Sequence, residues 1–143
     1  MESSSYKITY DADVNCVVMK WEGYSTSPEF RQGTETMLNM VILHNTGYVL
    51  ADIENMVIIS QDDQNWLERE FLPRAISFGF GALAIVKPKN YFNKVAIENI
   101  SYKVDKEKLP ISFFENVEDA KQWLKSVQGT GNNKELGMRS SES

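Results

Sequence analysis

The chain is poor in the residues that most site chemistries require. Its 143 residues include a single cysteine, Cys16, and a single histidine, His44. One cysteine cannot close an internal disulfide, and such scarcity fits a reducing, cytoplasmic setting. One His and one Cys cannot assemble the common zinc sites, so no metal is expected. A Ser-His-Asp triad would depend on His44 alone, and no G-x-S-x-G elbow occurs. Phosphate-cradling loops of the G-x-x-x-x-G-K and G-x-G-x-x-G types are missing, and no cofactor is expected. "GFG" at 79–81 reads as a helix stop. No apolar run approaches the ~20 residues that cross a bilayer. The opening lacks the basic-then-apolar pattern of a secretory leader. "NIS" at 99–101 therefore carries no weight as a glycosylation acceptor.

What remains is an ordinary globular composition, 42% hydrophobic and 24% charged, in a length that suits one domain. The net charge of −5 speaks against a nucleic-acid partner. The charge is uneven: residues 1–86 carry net −7, and residues 87–108 carry net +3. Residues 1–5 read as a disordered N-terminus, 6–127 as a single domain and 128–143 as a disordered tail.

"YKITY" and "VNCVVMKW", separated by "DAD", predict an antiparallel hairpin over 6–21. Ser27 as cap and Pro28 at the first position predict a helix that "NTG" at 45–47 stops. Phe30, Thr34, Met37, Leu38, Val41 and Ile42 form its apolar stripe, which Gly33 weakens. "YVLADI" and "ALAIV" are apolar nearly throughout, as strands covered on both faces are. Between them a helix starts near Ser60, with Leu67, Phe71, Ala75 and Phe78 inward and Pro73 kinking or splitting it. "KPKNYFNKVAIENI" suggests a turn and short helix, "ISFF" a strand, and "NVEDAKQWLKSV" a final helix capped by Asn116. The order β-β-α-β-α-β-α-β-α implies an α/β layer on a mostly parallel sheet.

Asp52 is the best single candidate for a catalytic group, because ligands of open α/β sheets gather at the carboxyl ends of strands. The plainer reading is an Asx-type turn onto the following backbone. Ser60, Asp62 and Asp63 resemble a capping box, with acids placed against the positive helix end. Arg74 suits a surface ion pair or an anionic ligand. His44 lies near a helix end and Cys16 among apolar neighbours, so both read as structural. The lysine-aromatic stretch "KPKNYFNK" can stack on single-stranded nucleic acid, but the acidic chain favours a solvated loop.

The strand ending in "DIENM" at 52–56 and the helix opening "ISQDDQNWL" resemble the STAS domain family, in its standalone bacterial, SpoIIAA-like branch. "LPISFFENVEDAKQWLKS" supports the resemblance, which covers roughly residues 6–127. It implies a mixed, mostly parallel sheet of four or five strands with about four helices, mainly on one face. It also implies a non-catalytic regulatory module that binds a protein partner through the loop and helix after the central strand. In the anti-sigma-factor antagonists of that branch, this loop carries a phosphorylatable serine. Laid on this chain, that serine falls on Asp62, which holds one charge and cannot be toggled. The implied interaction loop comprises Asp52, Glu54, Asn55, Ser60, Asp62 and Asp63, with Glu68 on the following helix. STAS-like folds also resemble CRAL-TRIO lipid-transfer domains. An alternative is therefore a carrier or sensor of a small apolar ligand, lined by Trp66, Phe71, Phe78, Phe80, Tyr91 and Phe92 beside Arg74. A third reading is a hydrolase using Asp52. Self-association into a homodimer stays open.

Overall fold

A computed structural model describes residues 5–57 and 59–136, with side chains as far as Gly129. The sheet has five strands in the order β1 (Tyr6–Asp11), β2 (Cys16–Gly23), β3 (Tyr48–Met56), β4 (Ala82–Val86) and β5 (Ile111–Phe114). β1 and β2 form the expected antiparallel hairpin, and every later pairing is parallel. Chain order equals spatial order, so every helical connection between β2 and β5 is a crossover between neighbouring strands, and the final helix follows the last strand.

Alternation along the strands sorts the side chains onto two faces. Val17, Met19 and Trp21 of β2 join Val49, Ala51 and Ile53 of β3 in the larger core. That core is covered by α1 (Ser27–His44), the helical run from Gln61 to Ser77, and α4 (Tyr91–Tyr102). Cys16, Leu50, Ala82, Ala84 and Val86 form the other face, under Ala120 and Leu124 of α5 (Val117–Leu136). The helices thus lie mainly on one face, as expected.

Local chemistry explains most boundaries. Thr26, rather than Ser27, caps α1: its hydroxyl accepts from the Glu29 amide (3.2 Å), while Glu29 accepts from the Thr26 amide (3.0 Å). This reciprocal box satisfies two amides that helix geometry leaves without partners. Ser27 is thereby freed for a tertiary contact. Asn45 ends α1 in the left-handed conformation. Gly33 is required rather than merely tolerated, because a β-carbon there would sit 2.6 Å from Cη2 of Trp21. Ile42, placed on the inner stripe by its spacing, is exposed.

The run after Ser60 consists of α2 (Gln61–Trp66), a π-helical turn (Leu67–Phe71) and α3 (Leu72–Ser77). Pro73 accounts for the widening. It donates no hydrogen bond and its ring crowds the carbonyl four residues back. The turn opens instead, and the Leu72 amide reaches the Leu67 carbonyl.

α5 begins at an Asn116 cap, whose side chain accepts from the Asp119 amide (2.9 Å), and its backbone continues to Leu136, beyond the expected domain end at 127. Residues 137–143 of the expected tail, and residues 1–4 of the expected frayed N-terminus, lie outside the described residues. Ser5 is already buried, and its carbonyl accepts from the Glu22 amide (3.0 Å).

Candidate functional site

The loop between β3 and α2 crosses the carboxyl edge of the parallel strands and is held there from several sides. The Val57 amide donates to the carbonyl of Gly23 at the end of β2 (2.9 Å), and the Lys89 amide to that of Glu54 (3.0 Å). Asn93 of α4, 1% exposed, supplies the central anchor. Its Oδ1 accepts from the Ile59 amide (2.9 Å), and its Nδ2 donates to the carbonyls of Met56 (2.9 Å) and Val57 (2.6 Å). One buried amide side chain thus satisfies loop groups that no ladder can reach. Asn90 caps α4 by accepting from the Asn93 amide (3.0 Å), which fixes the side chain that does this.

The other end of the loop is tied to α1. Ser60 caps α2 by accepting from the Asp63 amide (3.1 Å). Asp63 does not complete the expected capping box with its carboxylate. That carboxylate is 4% exposed, and its Oδ1 accepts from Ser27 Oγ (2.6 Å) and Arg31 Nε (2.9 Å), both on α1. The Arg31 guanidinium also lies 5.2 Å over the Trp66 ring. A buried carboxylate with two donors, one of them charged, is a compensated ion pair that fixes helix position.

The remaining expected loop residues have distinct placements. Asp62 and Asn55 are exposed, and Glu54 is half-buried, 4.0 Å from Lys89 Nζ. Glu68 pairs with Lys103 at 3.2 Å. Asp52 is not at a strand end. It sits in mid-β3, paired in register with Lys20 and Val86, and accepts from the Glu54 amide (3.3 Å). Among the described residues, a second acid or base within hydrogen-bond reach, which hydrolysis by Asp52 would need, is not among its contacts.

The aromatics expected to line one pocket do not converge. Phe71 and Phe80 border an apolar cavity of about 100 Å³ between the sheet and the helices, together with Trp21, Met37 and Ile85. Trp66 packs against Phe71 (5.3 Å between rings) outside that lining. Arg74 instead forms a two-pronged pair with Glu35 at the surface. Phe78 is 57% exposed at the opposite end of the sheet, and Tyr91 and Phe92 are each 70% exposed. These last two meet edge to face at 5.9 Å where α4 begins. Tyr24, next to Gly23, and Val57 are exposed beside the same loop.

His44 stacks on Tyr10 at 4.0 Å and Cys16 is buried, its thiol pushed up to about 11 by desolvation. Among the described residues no group of three or more His, Cys, Asp or Glu could hold a metal, and no helix is long and apolar enough to cross a membrane.

No protein-family model and no curated protein matches the chain. Among solved structures, an uncharacterised protein of the DUF3478 family from Shewanella loihica PV-4, described as having a SpoIIAA-like fold, is similar. The match has a TM-score of 0.57 and 22% identity, and covers 87% of this chain and 98% of that one. The chain has a SpoIIAA-like fold. At this identity the likeness carries the architecture alone. The six residues singled out in the sequence flank the β3–α2 loop: Asp52, Glu54 and Asn55 lie on β3, Ser60 caps α2, and Asp62 and Asp63 lie in its first turn. Arg31, Asn93, Tyr24 and Val57 were not foreseen there. Tyr24 and Val57 carry no local signal, whereas Asn93, three residues after the capping Asn90, sits where a first-turn amide side chain can look outward from its helix.

Proposed function

We propose that the chain is a non-catalytic, STAS-like regulatory module that binds a protein partner through the carboxyl edge of its sheet. The observation that carries this reading is the pinned β3–α2 loop, ringed by exposed Tyr24, Val57, Tyr91 and Phe92. Exposed aromatics clustered on a rigid base, with polar Asn55, Ser60 and Asp62 at the rim, have the make-up of a binding surface. By the resemblance, Asp62 falls where the anti-sigma-factor antagonists carry the switchable serine, which gives this part of the surface a charge that is not toggled. Binding in a bacterial cytoplasm suits the single, buried, unpaired cysteine. The test compares proteins captured from native lysate by wild type, Asp62→Lys and Phe92→Glu. A partner retained by wild type and lost by both variants supports the reading; one indifferent to both moves the interface elsewhere.

A second reading rests on the apolar cavity. At about 100 Å³ it would take a ligand of a few carbon atoms rather than a full lipid, since cavities of ~150 Å³ accept benzene. Native mass spectrometry of the freshly purified chain tests it: a retained small apolar molecule favours this reading, and a bare chain counts against it.

A further inference from the structure

The sheet ends at β5, and the geometry of that edge points to a second copy of this chain as its partner. The Leu83 amide donates to the Pro110 carbonyl and the Lys87 amide to the Phe114 carbonyl, both at 2.9 Å. In a parallel ladder a residue turns both its backbone groups to the same neighbour, and the next residue turns both away. Residues 110, 112 and 114 therefore address β4. The N–H and C=O of Ile111 and Phe113 address the open side, where no other strand lies among the described residues.

The two ends of the sheet are built differently. β1, the opposite edge, carries exposed Lys7, the kind of charge that discourages edge-to-edge pairing. β5 reads Ile-Ser-Phe-Phe, with no charge, no proline and no bulge between its ends. Its four residues are all partly exposed.

We infer that two copies pair antiparallel through β5, about a twofold axis at Ser112, to form one continuous sheet. The outward groups dictate the register. Residues that exchange both hydrogen bonds in an antiparallel pair must both face the partner, so Ile111 stands opposite Phe113 of the second copy, and Phe113 opposite its Ile111. The alignment is isologous and closes after two chains. Ile111 and Phe113 lie on the face of the larger core, so the crossed pair places an aliphatic and an aromatic side chain together on one face. Ser112 meets its own copy on the other face, where small hydroxyls fit the close approach of the unbonded position. The strand's self-complementary sequence thus names the occupant. A short edge of this kind gives a dimer that dissociates on dilution, separate from the carboxyl-edge surface proposed above.

The full chain should sediment as a dimer at high concentration and as a monomer at low concentration. Amide exchange followed by NMR across that range supplies the register. Ile111 and Phe113 should become protected only when the dimer forms, while Ser112 and Phe114, bonded to β4, stay protected throughout. Phe113→Pro removes an outward donor without touching the β4 ladder, and should leave a folded monomer. Should that variant lose its fold, the exchange pattern of the wild type decides alone. A chain that remains monomeric at the highest concentration overturns the inference. So does a dimer in which the Ile111 and Phe113 amides exchange as fast as in the monomer, because its contact then lies elsewhere.

Discussion

Asn93 is the residue whose loss should do the most to the proposed surface while itself staying buried beneath it. Asn93→Ala would leave the Ile59 amide and the Met56 and Val57 carbonyls without their side-chain partner. A buried group stripped of its partner costs ~1–3 kcal/mol, and an intact bond contributes ~0.5–1.5 kcal/mol net. The loop edge can admit water to some of these groups, so a total of about 2–4 kcal/mol is expected. Urea unfolding of wild type and variant measures it directly. Asn93→Asp is the sharper test. Its carboxylate can still accept from Ile59, but it would face two carbonyl oxygens where Nδ2 now donates. At neutral pH it should be at least as destabilising as alanine, and acidification should recover part of the loss as the carboxyl becomes a donor. Amide exchange at Val57, Ile59 and Ser60 should accelerate in both variants. An Asn93→Ala protein within ~0.5 kcal/mol of wild type, the usual spread of neutral surface changes, would show that the loop does not depend on this anchor.

Other expectations follow from single contacts. Gly33→Ala should lose stability despite alanine's better helix propensity, by about 1–3 kcal/mol, because the new methyl overpacks Trp21 and Tyr6; urea unfolding reads the sign. Arg31→Met should cost about 1–3 kcal/mol, between the surface and buried ion-pair limits, since it leaves Asp63 buried with only Ser27 as side-chain donor. Asp11 and Lys121 pair at 2.9 Å, which holds the Asp11 carboxyl below its ordinary 3.8 and the Lys121 ammonium above its ordinary 10.5. The depressed acid contributes stability present above pH 3.8 and lost as pH falls through its folded value; the raised base contributes stability present below pH 10.5 and lost as pH climbs past it. Lys121→Met should flatten the acid limb of a stability-versus-pH curve. Cys16, buried with its thiol pushed up to about 11, should resist alkylation at neutral pH until denaturant exposes it.

The architecture was legible because its signals are periodic. The apolar runs at 48–51 and 82–86 have no polar face to offer solvent, and a sheet covered on both sides accommodates them. Helix starts were readable from Ser60, Asn116 and Pro28, although the cap of α1 lay one residue earlier, at Thr26, because the Glu29 that completes the box counts from there. The site was less legible. Asp63 looked like half of a capping box, and only the packing of α1 against α2 gives its carboxylate a better donor in Arg31. Asp52 looked terminal because the apolar run stops there, yet the strand continues through Glu54 and Asn55, polar residues at the uncovered upper part of the sheet. Tyr91 and Phe92 were expected to line an apolar pocket, and their exposure follows from Asn93 taking the inward position of that turn.

The central claim is that the carboxyl edge, with its pinned loop, is the surface that recognises a protein partner. The most direct test is quantitative mass spectrometry of proteins co-purifying with wild type, Phe92→Glu, Asp62→Lys and a remote control, Leu43→Glu, whose side chain is exposed near the end of α1. A partner held by wild type and by the Leu43 control, and lost from both edge variants, is the predicted result. A partner held equally by all four would contradict the account.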